Sequence, residues 1–223
     1  MPRLILLLIS LLISSSFITS ARENEIKVGL RTGHNAALGC FGAASVETIQ
    51  TFSGNFSIHS GIQYNTIGKT SIEAHPAYHM PLGWGKLSIE SVLTYTNLSS
   101  INGLTAGVGA ALDSKNVGAR LGYYYHLYGG HGGRITEPFN VYYELCGHFL
   151  KKVDNWNLDL KITNCETFEL ERHFQPSFIA EGSFYPTSKL GVSFGIGCKP
   201  SGMFNMSADY YQSYIKTGVC YRW

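Results

Sequence analysis

The sequence predicts an all-β fold of about twelve antiparallel strands, with ten as the alternative, following one another up and down in a single sheet. Apolar residues recur with a period of two through most of the chain, and clusters of turn-forming residues separate the repeats. Nowhere is there a sustained helical period.

Taken in order, the first strand (25–33) places Ile26, Val28 and Leu30 on one face. The second (37–48) is weakly patterned, being rich in Gly and Ala. The third (54–64) alternates Phe56, Ile58, Ser60, Ile62 and Tyr64, and the fourth (71–79) is interrupted by Pro76, which cannot donate to a ladder. The fifth (85–96) carries Leu87, Ile89, Ser91, Leu93 and Tyr95, and the sixth (103–112) carries Leu104, Ala106, Val108, Ala110 and Leu112. The seventh (117–128) has the clearest pattern. Val117, Ala119, Leu121, Tyr123, Tyr125 and Leu127 share one face, and Gly118, Arg120, Gly122, Tyr124 and His126 share the other.

The eighth strand (139–150) alternates from Phe139 to Phe149, the ninth (155–163) from Trp156 to Ile162, the tenth (173–185) from Phe178 to Phe184, and the eleventh (189–198) from Leu190 to Ile196. The twelfth (203–223) is long enough to include a bulge or a preceding loop. Short connections such as 113–116, 151–154 and 186–188 force antiparallel neighbours, since a parallel crossover needs a dozen or more residues.

Residues 1–21 have the features of a signal peptide: Arg3, then an apolar run from Leu4 to Ile13, then small residues ending at Ala21. Residues 22–223 form one domain. No later window reaches 18 consecutive apolar residues, which excludes a helical membrane protein but not a membrane-spanning barrel. Barrel strands alternate lipid-facing and lumen-facing residues, so their mean hydropathy stays near zero, as it does here. A charged fraction of 14% beside 13% aromatics suits that setting, although a secreted β-sandwich has similar figures. The formal charge of +2 gives no footprint for nucleic acid. Five cysteines without CxxC spacing argue against a structural zinc site and leave room for one or two disulfides.

The chain ends Lys216-Thr217-Gly218-Val219-Cys220-Tyr221-Arg222-Trp223. This resembles the C-terminal β-signal of bacterial outer-membrane β-barrel proteins, with Lys216, Gly218, Tyr221 and Trp223 at the polar, glycine and two terminal hydrophobic places. The resemblance implies an antiparallel up-and-down transmembrane β-barrel in the outer membrane, in contact with lipids and handled by the barrel-assembly machinery. It implies a narrow porin-like channel for a small solute of unknown identity, or a surface or structural role. Both termini would lie in the periplasm, with the connections Tyr128 to Pro138 and Asn164 to Arg172 outside the cell.

If the apolar face meets lipid, then His59, Arg120, His126, Glu144, His148, Asp159, Lys161 and Glu181 face the lumen, because a charge at mid-bilayer costs about 2–4 kcal/mol. Such groups line a pore or pair with one another across a narrow interior. The reading assigns no cofactor, metal or catalytic residue. His126 and His131 lack the spacing of a helical zinc pair. A barrel-embedded lipid hydrolase is an alternative, but His59 and Ser60 are adjacent and alternation sends them to opposite faces. A soluble secreted β-sandwich is the other, favoured by glycosylation-type tripeptides at Asn55, Asn97 and Asn205.

Overall fold

The computed structural model describes residues 23–36, 39–52, 55–98, 101–130, 133–149, 155–166, 169–170, 176–201 and 209–223. The signal peptide expected at 1–21 lies outside these, as do 151–154 and His131.

The described strands are β1 Glu23–Asn35, β2 Gly39–Phe52, β3 Phe56–Asn65, β4 Lys69–Leu82, β5 Gly85–Leu98, β6 Ile101–Ser114, β7 Val117–Gly130, β8 Gly133–Phe149, β9 Trp156–Thr163, β10 Cys165–Glu166, β11 Glu169–Leu170, β12 Ser177–Phe184, β13 Leu190–Ser201 and β14 Asp209–Arg222. Among the described residues, twelve of these form one closed barrel in chain order, with β9 followed directly by β12. Closure is made by β14 against β1, from Glu25↔Arg222 to Asn35↔Gln212. A single sheet closed on itself replaces the two packed sheets of a sandwich, and it leaves no edge to be covered.

The alternation sets the two surfaces. Val28, Leu30, Ile89, Val108, Leu121, Tyr123, Leu145, Ile196, Ile215 and Val219 are all exposed on the outer wall. Glu73, Glu90, Arg31, Lys199 and Glu166 are largely buried inside. This reverses the usual arrangement of a soluble protein, in which large apolar side chains are removed from water.

Pro76 does not end β4. It pairs with Ile58 on the β3 side, while the β4–β5 ladder runs from Ala74↔Leu93 to Ala77↔Glu90 without pairing at His75 and Pro76. The missing donor therefore falls where the ladder is already interrupted.

Two long connections differ from the sequence expectation. The stretch from Tyr128 to Pro138 continues the hairpin, with β7 reaching Gly130 and β8 beginning at Gly133. A register shift opposite Tyr124 and His126 absorbs residues there, and it hides the period of two. The connection after β9 leaves the end of the barrel opposite the termini, but its first residues turn inward.

Candidate functional site

The inward turn begins at Asn164, which is fully buried. Its side chain accepts from Tyr143 N at 2.7 Å and donates to Val141 O at 2.9 Å, while its own N–H donates to Tyr143 O at 3.2 Å. Asn164 thus satisfies Val141 O and both backbone groups of Tyr143, just beyond Glu144↔Thr163, where the β8–β9 ladder ends. Cys165 then joins Val92, Tyr124 and Tyr142, from β5, β7 and β8, in a buried cluster.

Glu166 lies against the other wall. Its carboxylate is 3.3 Å from Arg31 and 3.8 Å from Lys199, and it accepts from the Tyr214 hydroxyl at 2.9 Å. The Arg31 guanidinium sits 3.6 Å over the Tyr214 ring. Cys165 and Glu166 therefore bridge β5, β7 and β8 to β1, β13 and β14 through the interior. None of Arg31, Cys165, Glu166, Lys199 or Tyr214 stood out in the sequence. The parity of Arg31 with Lys27 was the one available signal, and Glu166 lies where there is no period to read.

Below this bridge, Glu181 joins two amines, those of Lys161 and Lys216. Arg120 Nε lies 2.8 Å from Glu90, which also accepts from the Tyr142 hydroxyl at 3.2 Å. Tyr142 reaches from β8 to β5 because Gly122 and Gly109 lie beneath its ring, and a Cβ at either position would collide with it. Glu144 is opposite Arg120 in the β7–β8 ladder. A cavity of about 70 Å³ in this region is bordered by Lys27, Arg31, Lys161 and Lys216 and by Glu47, Glu144, Glu166 and Glu181. Four bases facing four acids leave it electrically balanced.

A larger cavity, about 270 Å³, opens toward the end that carries the termini and is bordered by His59, His75, His79 and His148 among others. His59 lies 3.6 Å from Glu47, with its ring edge-on to His75. His79 bonds Ser57 and Ser88, each at 2.7 Å. His148 is held between Asp113 at 2.9 Å and Asp159 at 2.8 Å.

Arg120, Glu144, Lys161, His59, His148 and Asp159 thus all border this one cavity. Glu181 joins them through Lys161. His126 stands apart, bonded to Thr105 at 2.5 Å with its ring tilted against that of Tyr128. Ser60, next to His59, bonds Thr48 at 2.9 Å and does not meet that histidine's partners. All five cysteines are unbridged.

At the terminus, Lys216 turns inward to Glu181, while Tyr221 and Trp223 are exposed with stacked rings 6.1 Å apart. Gly218 lets β14 lie close to Gly29 and Ser193.

No family model matches the chain, and no curated protein matches it either. Solved structures do. The KdgM porin shares 13% identity and a TM-score of 0.55, with 88% of this chain and 98% of that chain covered. The translocator domain of the autotransporter NalP from Neisseria meningitidis gives 11% and 0.58, covering 94% and 92%. The NanC porin gives 9% and 0.55, covering 89% and 98%. The chain therefore has the closed antiparallel fold of outer-membrane β-barrels.

Proposed function

We propose that this protein resides in the outer membrane as a narrow porin-like channel whose width is set by the inward bridge at Cys165 and Glu166. The observation that carries the reading is the combination of an apolar outer wall with a charged interior crossed by that bridge. Hydrocarbon accepts such a wall, and a closed barrel leaves no unsatisfied strand edge in it. KdgM and NanC are named as porins and share the fold. The termini end faces the periplasm, and the connection that supplies the bridge enters from outside. Lys216, Gly218, Tyr221 and Trp223 serve as the signal read by the barrel-assembly machinery.

The balance of charge around the smaller cavity implies weak ion selectivity in the intact protein. Removing the Glu166 charge takes one acid out of that balanced lining. In planar bilayers, the wild type is expected to give small, weakly selective conductance. Glu166→Gln should shift the reversal potential toward anions, and deletion of 165–170 should raise conductance several-fold. A deletion barrel that inserts but conducts no better than wild type would contradict the channel reading and favour a sealed, structural barrel.

A further inference from the structure

We propose that Cys146, His148 and Asp159 form a binding site for a thiophilic divalent cation of the Zn²⁺ class, inside the barrel near the end that carries the termini. Cys146 and His148 are two residues apart on β8, so strand alternation sends both inward. Asp159 of β9 is the register partner of His148. One donor atom from each of the three lies within 4.8 Å of the other two.

The spacing suits a tetrahedral metal. Zn–S bonds of about 2.3 Å and Zn–N bonds of about 2.0–2.1 Å place sulfur and nitrogen about 3.6 Å apart. Cys146 Sγ and His148 Nδ1 are 3.6 Å apart. Tetrahedral nitrogen and oxygen ligands stand about 3.3 Å apart. The His148–Asp159 hydrogen bond, at 2.8 Å, must therefore open by about half an ångström, which is within reach of a carboxylate rotation.

An independent feature is the other face of the imidazole. His148 Nε2 is bonded to Asp113 at 2.9 Å, on a third strand. A carboxylate on the far ring nitrogen is the arrangement that fixes the tautomer and orientation of a metal-bound histidine. The neighbouring Lys161 amine is turned to Glu181, so it does not occupy the ligand point. The site borders the larger cavity, from which water can supply a fourth ligand. Binding would release the thiol proton, and any proton on His148 Nδ1, to solvent. The resulting thiolate, neutral imidazole and carboxylate balance the charge of a divalent ion.

The test uses the full barrel, purified in detergent and shown to be folded by heat-modifiable gel migration, with Zn²⁺ and Co²⁺ as probes. Wild type is expected to retain one equivalent of Zn²⁺ on dialysis. With Co²⁺ it should show the near-ultraviolet charge-transfer band of a thiolate ligand. Cys146→Ser should abolish that band, whereas Cys40→Ser should keep it. Asp113→Asn should weaken binding about 10–100-fold by loosening the ring. The proposal is overturned if folded wild type binds no Zn²⁺ saturably, if Co²⁺ binds without the thiolate band, or if Cys146→Ser leaves the band unchanged. Because the wild-type spectrum alone decides the second outcome, a variant that fails to fold does not shield the proposal.

Discussion

Replacing Tyr221 and Trp223 together with Ser is expected to leave export intact and to abolish assembly, so that the chain accumulates as degraded or chaperone-held material. The expectation rests on the position of β14, the strand that closes the barrel. It pairs with β1 on one side and with β13 on the other. Trp223 and Asn24 exchange backbone hydrogen bonds of 3.2 and 3.3 Å, so the last residue is held to the first strand. The stacked Tyr221 and Trp223 rings lie on the outer wall at the end of the barrel, where aromatic side chains anchor at a membrane interface. A barrel that cannot close exposes two strand edges, each carrying polar groups that cost several kcal/mol apiece in hydrocarbon. A soluble sandwich with the same change would lose little, since terminal residues fray. Heat-modifiable migration of the membrane fraction is the readout. A shift at the wild-type level in the double variant would remove the assembly role from these residues.

Leu121→Arg is expected to impair insertion by about 2–4 kcal/mol if residue 121 lies near mid-bilayer, the cost of a lipid-facing charge. Leu121 is 58% exposed on the outer wall, one residue from the inward Arg120. Arg120→Leu acts differently: it leaves Glu90 buried with the Tyr142 hydroxyl as its remaining partner among those described above. That barrel should insert and close, but melt at a lower temperature, because an uncompensated internal carboxylate is costly. Folded yield in vesicles separates the two effects. Equal yields for Leu121→Arg and wild type would mean that this face does not meet lipid.

The strands were legible because two different environments impose one period. From Val117 to Leu127 every second side chain faces outward, and a one-residue slip would exchange the two faces. Strand ends were less legible. At the rims the period fades, since Pro81 breaks the pattern near the end of β4 and Gly129 and Gly130 carry no side chain to mark a face, so β4 runs to Leu82 and β7 to Gly130, past the ends that alternation marks. The interior was only partly legible. Alternation identifies Arg120 as inward, but it does not say that Glu90, two strands away, is its partner. Nor does it say that Tyr142 of β8 also reaches Glu90, a bond that depends on Gly109 and Gly122 clearing a path for the ring. The bridge at Cys165 and Glu166 was not legible at all, because its geometry is set by Asn164 replacing a strand neighbour, which leaves no periodic trace. The Cys146 and His148 pair was visible as a same-face couple, but a search for CxxC or helical His spacing passes over it.

The central claim is that this chain is a closed, membrane-embedded barrel, and fractionation of cells producing the wild-type protein tests it most directly. Envelopes are washed with alkaline carbonate, and the pellet is run on a denaturing gel with and without boiling. A barrel of this kind is expected to stay wholly in the pellet, and its unboiled form should migrate apart from the boiled one. Release into the carbonate supernatant, or a single band unchanged by boiling, would contradict the account.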